Sequence, residues 1–271
     1  MLRLLERNIA SIEQRLVLLA PAAAAIPQPF RNQRVDPGQH RALVREMQGL
    51  RGSIYLEDGA IRQHQLTTDG LHCTPEDERS WHLLMLNRHH RVSSCVWYLE
   101  HRHPRSIDEL RVRHCPLTNH EDSRELLQDA VEQELDRARK SNLRYVEVGG
   151  WAVSKDSRCS SEGLLLALAA YSMGRLFGGS LGLTTATVRH SSAMILRRLG
   201  GSYLETRGRR VAPYFDPKYR CEMELLRFDS RRPNPKYVDL IERLRERLAN
   251  VAVIADSDHA FKDGSEPLFA A

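Results

Sequence analysis

The stretch of sequence that decides the fold runs from Arg144 to Val188 and reads RYVEVGGWAVSKDSRCSSEGLLLALAAYSMGRLFGGSLGLTTATV. Its first ten residues, Arg144–Val153, are rich in valine and aromatic residues, which predicts a β-strand. After a polar loop, residues 163–177 are apolar almost all round, as expected of a helix that a sheet covers. Residues 181–188 are rich in threonine and predict a second strand. This order of strand, loop, buried helix and strand indicates an α/β unit.

The flanking segments predict more strands on the N-terminal side and more helices on the C-terminal side. Residues 52–66 contain Asp58-Gly59 and predict a β-hairpin, because Asp-Gly is a common two-residue turn. The remaining predicted elements are strands at 80–86, 92–100 and 222–228 and helices at 123–140, 191–199 and 237–248. Meandering strands followed by strand–helix alternation predict one α/β (α+β) sheet that is mixed and mostly antiparallel, with flanking helices.

Composition excludes several classes of protein. The 271 residues are 41% hydrophobic and 28% charged, with a net charge of +5, which argues against a disordered chain. No apolar run reaches the roughly 18 residues of a transmembrane helix. Residues 16–26 loosely imitate a signal peptide, but Glu6, Glu13 and Pro21 favour a packed helix instead. The five cysteines are odd in number and form no C-x-x-C pair, which favours a reducing cytoplasmic setting.

The histidines do not indicate a metal site. Nine of the twelve fall between His64 and His120, and a zinc site would have to use His101, His103, His114 and Cys115. No standard zinc spacing appears among them. We therefore expect no metal.

The loop before the buried helix has the composition of a phosphate site. It carries an arginine, two hydroxyl groups and a glycine: Arg158, Ser160, Ser161 and Gly163. A helix N-terminus offers unpaired N–H groups and partial positive charge, so an anion fits there. Helix capping alone is the alternative explanation. Cys159 beside Arg158 could be a low-pKa thiol, although a small loop residue is the favoured interpretation.

This region resembles the GNAT acyltransferase superfamily. Residues 158–163 are similar to its pantetheine-phosphate motif, Q/R-x-x-G-x-G/A, with Ser161 in place of the first glycine, and residues 185–201 look like its second signature. Residues 51–61, 69–72, 77–82, 214–224 and 226–230 look like the N-acyl amino acid synthases, which are GNAT-fold relatives of acyl-homoserine-lactone synthases.

The resemblance covers roughly residues 45–240 and implies both a fold and a function. The implied domains are a helical extension at 1–45, a GNAT-like acyltransferase domain at 46–232, and a C-terminal helix with a loose tail at 233–271. The implied reaction moves a long-chain acyl group to an amino acid from a phosphopantetheine-linked donor, either acyl carrier protein or acyl-CoA. No permanently bound cofactor is implied. An acyl-homoserine-lactone synthase that uses S-adenosylmethionine is the second enzyme hypothesis.

Glu147 is the first candidate catalytic residue. An amine that attacks a thioester must be neutral, so a base must take its proton. A carboxylate in an apolar strand is costly unless it is paired or functional, and a salt bridge to an arginine is the alternative. Period-two alternation predicts that Glu147, Gly149, Trp151 and Val153 share one face. Gly149 and Gly150 lack side chains and are candidates for the point where the donor approaches the strand.

A second cluster of candidates follows the predicted hairpin. Two acids and two histidines lie close together in the sequence: Asp69, His72, Asp77 and His82. They could hold the ammonium group of an amino acid, with His72 relaying its proton, and Arg51 could hold the carboxylate in a bidentate pair. Turn formation and capping are the alternatives for the acids, and a half-buried ring is the alternative for His82.

The excess positive charge is local. Six arginines face a single acid, Glu205, in residues 189–210: Arg189, Arg197, Arg198, Arg207, Arg209 and Arg210. Acyl carrier proteins are acidic, so this patch is a candidate docking surface. The alternatives are a solvated helix face and a non-catalytic module that binds nucleic acid. Aromatic residues are only 6%, which argues against nucleic acid. A lipid product would allow peripheral contact with a membrane.

Overall fold

The computed structural model describes residues 2–22, 26–158, 160–189 and 191–257. Its helices are α1 (Leu2–Ala10), α2 (Ile12–Arg15), α3 (Pro37–Glu57), α4 (Glu121–Lys140), α5 (Glu162–Leu176), α6 (Ser192–Leu199) and α7 (Val238–Leu248). Its strands are β1 (Leu16–Leu19), β2 (Gln33–Val35), β3 (Trp81–Leu86), β4 (Val92–His101), β5 (Arg144–Val153), β6 (Ser180–Thr187), β7 (Ser202–Tyr203), β8 (Glu205–Thr206), β9 (Arg209–Arg210), β10 (Tyr214–Asp216), β11 (Cys221–Asp229) and β12 (Ala252–Ala255).

One large mixed sheet organises the molecule. Its strands run in the order β10-β11-β6-β5-β4-β3-β1-β12-β2, and β7 pairs with β11. The pairs β5–β6, β1–β12 and β12–β2 are parallel, and the other pairs in this sheet are antiparallel. Helices α1, α5 and α7 pack on one face, and α3 and α4 on the other. This is the mixed, mostly antiparallel sheet with flanking helices that the sequence predicts.

Helix α5 forms the centre of the larger core because it has no polar stripe. Leu165, Leu166 and Leu168 are completely buried between the sheet and α7. Each such side chain contributes about 1.5–3 kcal/mol relative to an exposed one. The hydroxyl of Ser172 is satisfied inside this core, since its single O–H can donate to the carbonyl of Leu168 at 2.8 Å or to that of Ile241 at 2.9 Å. The helix therefore holds the sheet and α7 together.

The hairpin predicted at 52–66 is wrong, because residues up to Glu57 belong to the helix α3. The Asp36 carboxylate accepts a hydrogen bond from the N–H of Gln39 at 2.9 Å, and Pro37 occupies the first turn. The helix ends at Glu57, Asp58 is its C-cap, and Gly59 then adopts a φ of +68°. A glycine in the left-handed region ends helices as well as hairpin strands. The Asp-Gly pair therefore marks a helix end here.

The helix predicted over 16–26 is also replaced by a strand. Residues Leu16–Leu19 form β1, are buried on both faces, and pair with β3 and β12. A short apolar run that is buried on both faces has no helical or alternating period to distinguish it. The sheet thus includes strands from outside residues 46–232. Residues 23–25 and the tail from 258 onward lie outside the described residues.

Candidate active site

The site begins where two neighbouring parallel strands separate. The ladder between β5 and β6 runs from Arg144 opposite Ser180 to Val148 opposite Thr184, and both strands continue beyond it. A cavity of about 890 Å³ occupies this region. Its lining includes Tyr55 from α3 on one side of the sheet and Tyr171 from α5 on the other. The cavity therefore passes through the gap between the two strands.

A bulge in β5 changes which side chains face this cavity. The register against β4 shifts between Cys95 and Trp97, and Gly150 adopts a φ of +63°. A Cβ atom at Gly149 or Gly150 would overlap the Trp97 indole, so both positions require glycine. These two glycines line the cavity, as predicted for the point of donor approach. Their role in binding stays a prediction.

The bulge overturns the predicted common face of Glu147, Gly149, Trp151 and Val153. Val148 and Trp151 pack on the α5 side of the sheet, and Gly163 at the start of α5 approaches both Trp151 and Val153. Glu147 points to the opposite side, where its carboxylate accepts the N–H of Val112. One extra residue in a strand reverses its alternation, which a period-two pattern cannot anticipate.

Glu147 is buried against a turn on the α4 side of the sheet. Its carboxylate accepts hydrogen bonds from the N–H groups of Arg111 and Val112 at 2.7 and 2.8 Å, and His101 Nε2 lies 2.8 Å from it. These contacts replace the salt bridge to an arginine side chain raised as the alternative. Glu147 is not among the residues that line the cavity. The role of general base stays a prediction for Glu147, and its contacts also suit a residue that positions the turn.

The loop before α5 lies at one end of the cavity. Arg158, Ser160, Ser161 and Gly163 all line it, and their role in donor binding stays a prediction. The Arg158 guanidinium pairs with Asp58 at 3.0 Å and is 39% exposed, so a ligand can reach it. The two serines also have protein contacts: Ser160 Oγ accepts the N–H of Glu162 at 3.1 Å, and Ser161 Oγ accepts Asn8 Nδ2 at 2.6 Å. Cys159 lies outside the described residues.

The predicted acceptor residues Arg51 and Asp77 bind each other. Two hydrogen bonds of 2.9 and 2.7 Å join the Arg51 guanidinium to the Asp77 carboxylate, and Gln48 donates to the same carboxylate at 3.0 Å. The arginine side chain is only 1% exposed. Burial raises the pKa of Asp77, but the Arg51 pairing outweighs it and the net pKa is lowered. An acceptor carboxylate would have to open this pair to reach Arg51.

The histidines near this pair are buried. Burial lowers the pKa of both His72 and His82 to about 4, so both rings are neutral near pH 7. His82 Nε2 lies 2.7 Å from the Asp77 carbonyl oxygen, and the His72 ring packs against Tyr55. Neither ring lines the cavity. Asp69 is exposed and pairs with Arg45 at 3.0 Å. The structure therefore brings Arg51, Asp77 and the two histidines together, but beside the cavity.

Arg111 is a cavity residue that no sequence motif marks. Its guanidinium carbon lies 5.6 Å from the centre of the Trp97 ring, and its Nε lies 3.2 Å from Glu76 Oε1. Tyr55 and Tyr219 line the same part of the cavity, with their rings 6.4 Å apart. Arg111 lies in a short 3-10 turn, Arg111–His114, which has no periodic pattern. The one sequence feature that points toward Arg111 is Glu147, an acid in an apolar strand, whose carboxylate accepts the backbone N–H of Arg111.

The six arginines of the basic patch separate into three groups. Arg189 and Arg198 line the cavity, and Arg189 donates to the carbonyls of Asp58 and Arg220. Arg197 pairs with Glu224 at 3.4 Å. The other three are exposed in or beside the β8–β9 hairpin: Arg207, Arg209 and Arg210. These three do not line the cavity, and the docking surface stays a prediction.

Two further features bear on what the described residues can do. Within those residues, no group of three or more His, Cys, Asp or Glu side chains could hold a metal ion. His101, which the zinc alternative needed, is engaged with Glu147. Among the helices described, none is both long and apolar enough to cross a membrane.

Comparison with known proteins shows the fold. No family model and no curated protein matches the chain. The CoA-dependent acyl-homoserine lactone synthase BjaI, solved with S-adenosylmethionine and isopentyl-CoA, superposes with a TM-score of 0.50 at 14% identity over 89% of this chain and 92% of that one. The chain has the fold of an acyl-homoserine lactone synthase. The predicted GNAT-type acyltransferase fold is thereby confirmed.

Two other solved structures align less closely. FeeM, an N-acyl amino acid synthase from uncultured soil microbes, has a TM-score of 0.43 at 12% identity over 75% of this chain and 90% of that one. The AHL synthase LasI has a TM-score of 0.44 at 17% identity over 70% and 84%.

Proposed function

We propose that this protein transfers a fatty acyl group from a phosphopantetheine thioester to the amine of an amino acid, which gives an N-acyl amino acid. The observation that carries the proposal is a single cavity that joins three different environments. It connects the N-terminus of α5, the bulge at Gly149–Gly150, and an apolar end that includes Tyr171 and Phe228. A phosphate, a thioester and an acyl chain, in that order, match these environments.

The start of α5 suits the phosphates of the donor. The first N–H groups of a helix have no acceptor within it and attract an anion. Arg158 adds a positive charge that solvent and ligands can reach. Pantetheine can then extend along β5, where Gly149–Val153 has no ladder to β6. Backbone groups on this free edge can bind amides and the thioester oxygen.

The chemistry needs no covalent intermediate. The amine nitrogen attacks the thioester carbonyl, a C–N bond forms, the C–S bond breaks, and the thiolate takes up the proton that the amine releases. Backbone N–H groups at the bulge would stabilise the developing oxyanion. Neither Glu147 nor His72 lines the cavity, so we propose that water relays this proton from the amine to the departing thiolate.

Acyl carrier protein is the partner that we propose for the donor. The exposed arginines Arg207, Arg209 and Arg210 supply positive charge for an acidic protein, and Arg198 carries that charge to the cavity lining. We also propose a cytoplasmic location. It is supported by Cys73, Cys95, Cys115 and Cys221, which are free thiols.

The test is a direct assay of acyl transfer. Purified protein is incubated with decanoyl-CoA or decanoyl acyl carrier protein and a mixture of amino acids, and the products are identified by mass spectrometry. We expect an N-decanoyl amino acid and free thiol in equal amounts. Arg158→Ala should raise the KM of both donors roughly 10-fold or more, since a charge-assisted contact to phosphate is lost. Absence of any acyl amino acid with either donor would refute the proposal.

Acyl-homoserine-lactone synthesis is the second candidate function. It is favoured by the likeness to BjaI, which was solved with S-adenosylmethionine and isopentyl-CoA. The same assay separates the two functions when S-adenosylmethionine is the acceptor. An acyl-homoserine lactone together with methylthioadenosine would support this candidate, and an N-acyl amino acid would support the first.

A further inference from the structure

We propose that Arg111 binds the carboxylate of the acceptor, which makes it the residue that restricts this enzyme to amines bearing a free carboxylate. The inference rests on the proposed function and deepens it, because it assigns the acceptor subsite to the part of the cavity around Trp97. Carboxylate binding, which the sequence suggested for Arg51, is thus assigned to Arg111.

The first argument is the state of the two arginines. Arg51 is 1% exposed, and both of its Nη groups donate to Asp77. Arg111 lines the cavity, and its side chain is 28% exposed. Glu76 contacts Arg111 through Nε, and Tyr219 makes a further side-chain hydrogen bond to this guanidinium, so a carboxylate at the Nη groups would bind beside the Tyr219 hydroxyl. A guanidinium presents two such groups in the geometry of a carboxylate.

The second argument is the position of Arg111 relative to the reacting carbonyl. Trp97 lies against Gly149 and Gly150. The guanidinium carbon of Arg111 lies 5.6 Å from the centre of the Trp97 ring. One indole therefore separates the anion-binding group from the bulge where the thioester is expected. An α-amino acid held by its carboxylate at Arg111 can extend its amine past Trp97 toward that carbonyl.

The third argument is that the fold holds Arg111 in place and charged. Glu147 accepts the Arg111 N–H at 2.7 Å and the next N–H at 2.8 Å, which fixes the turn against β5. Burial opposes the charge of the guanidinium, but Tyr219, Glu76 and Glu147 outweigh burial and raise the pKa of Arg111. A fixed, charged guanidinium that is mostly shielded from solvent binds a carboxylate better than a mobile surface arginine does.

The test compares acids with their amides. The best amino acid acceptor from the twenty protein amino acids is assayed beside its α-carboxamide, which keeps the amine and loses the negative charge. With wild-type protein the acid should have a KM roughly 30-fold or more below that of the amide. In Arg111→Met this preference should disappear because the KM of the acid rises, whereas the amide should be used as before. Arg113→Met changes an exposed arginine of the same turn and should retain the preference.

Three outcomes would overturn the inference. Wild-type protein could use the amide as well as the acid, Arg111→Met could impair both acceptors equally, or Arg111→Met could keep the preference. The first outcome needs no variant, so it decides the matter even if Arg111→Met fails to fold. Binding is also measured without turnover, as the rise in Tm that each amino acid or amide causes at millimolar concentration. Acid-selective binding that Arg111→Met abolishes would uphold the inference even if no acyl transfer occurs, and that result would refute the proposed function alone.

Discussion

Replacement of Glu147 by glutamine distinguishes two roles for this buried acid: positioning of the turn that begins at Arg111, and general-base catalysis. The carboxylate accepts three hydrogen bonds, two from the turn that begins at Arg111 and one from His101. Glutamine keeps one acceptor oxygen and places an NH₂ group where the second oxygen was. At least one buried N–H donor then faces another donor.

The magnitude follows from those contacts. A buried donor left unsatisfied costs about 1–3 kcal/mol, and the remaining bonds lose the assistance of the negative charge. We therefore expect Glu147→Gln to lower the free energy of unfolding by roughly 2–4 kcal/mol. The turn would loosen and carry Arg111 with it, so the KM of the amino acid should rise roughly 10- to 100-fold, a part of the full effect of an interfacial charge pair. The turnover number should change less.

The assay is steady-state acyl transfer across pH, alongside urea unfolding. Glu100→Gln is the matched control, since Glu100 lies on β4, pairs with Arg144 and does not line the cavity. It should lower stability without raising the KM of the amino acid. A general base would behave differently, because its loss typically lowers turnover 10²- to 10⁴-fold. A fall of that size with an unchanged KM, together with loss of the acid limb of the pH profile, would refute the positioning role.

The other predictions concern the bulge, the docking surface and acid stability. Gly150→Ala should abolish most activity, since its Cβ would push Trp97 out of place. The control Gly208→Ala has a similar φ of +74° but lies in open space, so it should lower stability without lowering activity. Equal activity in the two variants would contradict this prediction. Replacement of Arg209 and Arg210 by Glu should raise the KM for acyl carrier protein and weaken the salt dependence of that KM, whereas the KM for decanoyl-CoA should not change. The control Arg88→Glu replaces another exposed arginine and should change neither KM. The pKa of His82 is about 4 in the folded protein and about 6.5 in the unfolded chain. Between these pH values the unfolded chain binds one more proton at this ring than the folded protein does. The contribution of His82 to stability is therefore fully present above pH 6.5 and is lost toward pH 4, by up to about 3 kcal/mol. His82→Gln should make the fall in urea-unfolding stability over that range shallower, with the part due to His72 remaining, and the exposed His89→Gln should leave the fall unchanged; identical slopes would refute the assignment.

The sequence predicted the parts of the fold whose patterns are long and unambiguous. Helix α5 is apolar all round and ends at two glycines, and strand β5 contains valines and aromatics over ten residues. Short elements were missed for a physical reason: β1 has four buried residues and therefore shows no period. The Asp58-Gly59 pair was assigned to a hairpin because the same backbone conformation ends helices and turns strands.

The site was predicted unevenly for related reasons. The loop residues Arg158 and Gly163 could be found because helix N-termini and glycines have a local signature. Glu147 was identified as unusual, but its direction depends on a one-residue bulge that only tertiary pairing with Trp97 reveals. Arg111 could not be found from its neighbours, since its place in the cavity is set by contacts with strands that are distant in sequence.

The position of β12 has a consequence for how the chain is made. This strand lies between β1 and β2, and Val17 is paired with Ala252 near the opposite end of the chain. The residues of β1 and β2 are synthesised long before those of β12, so the two early strands lack the strand that pairs with both of them. Unpaired strand edges attract other chains, and contacts between distant residues form slowly. Nascent chains of this protein should depend on chaperones until the last strand pairs with both, and a premature stop before Ala252 should yield aggregates.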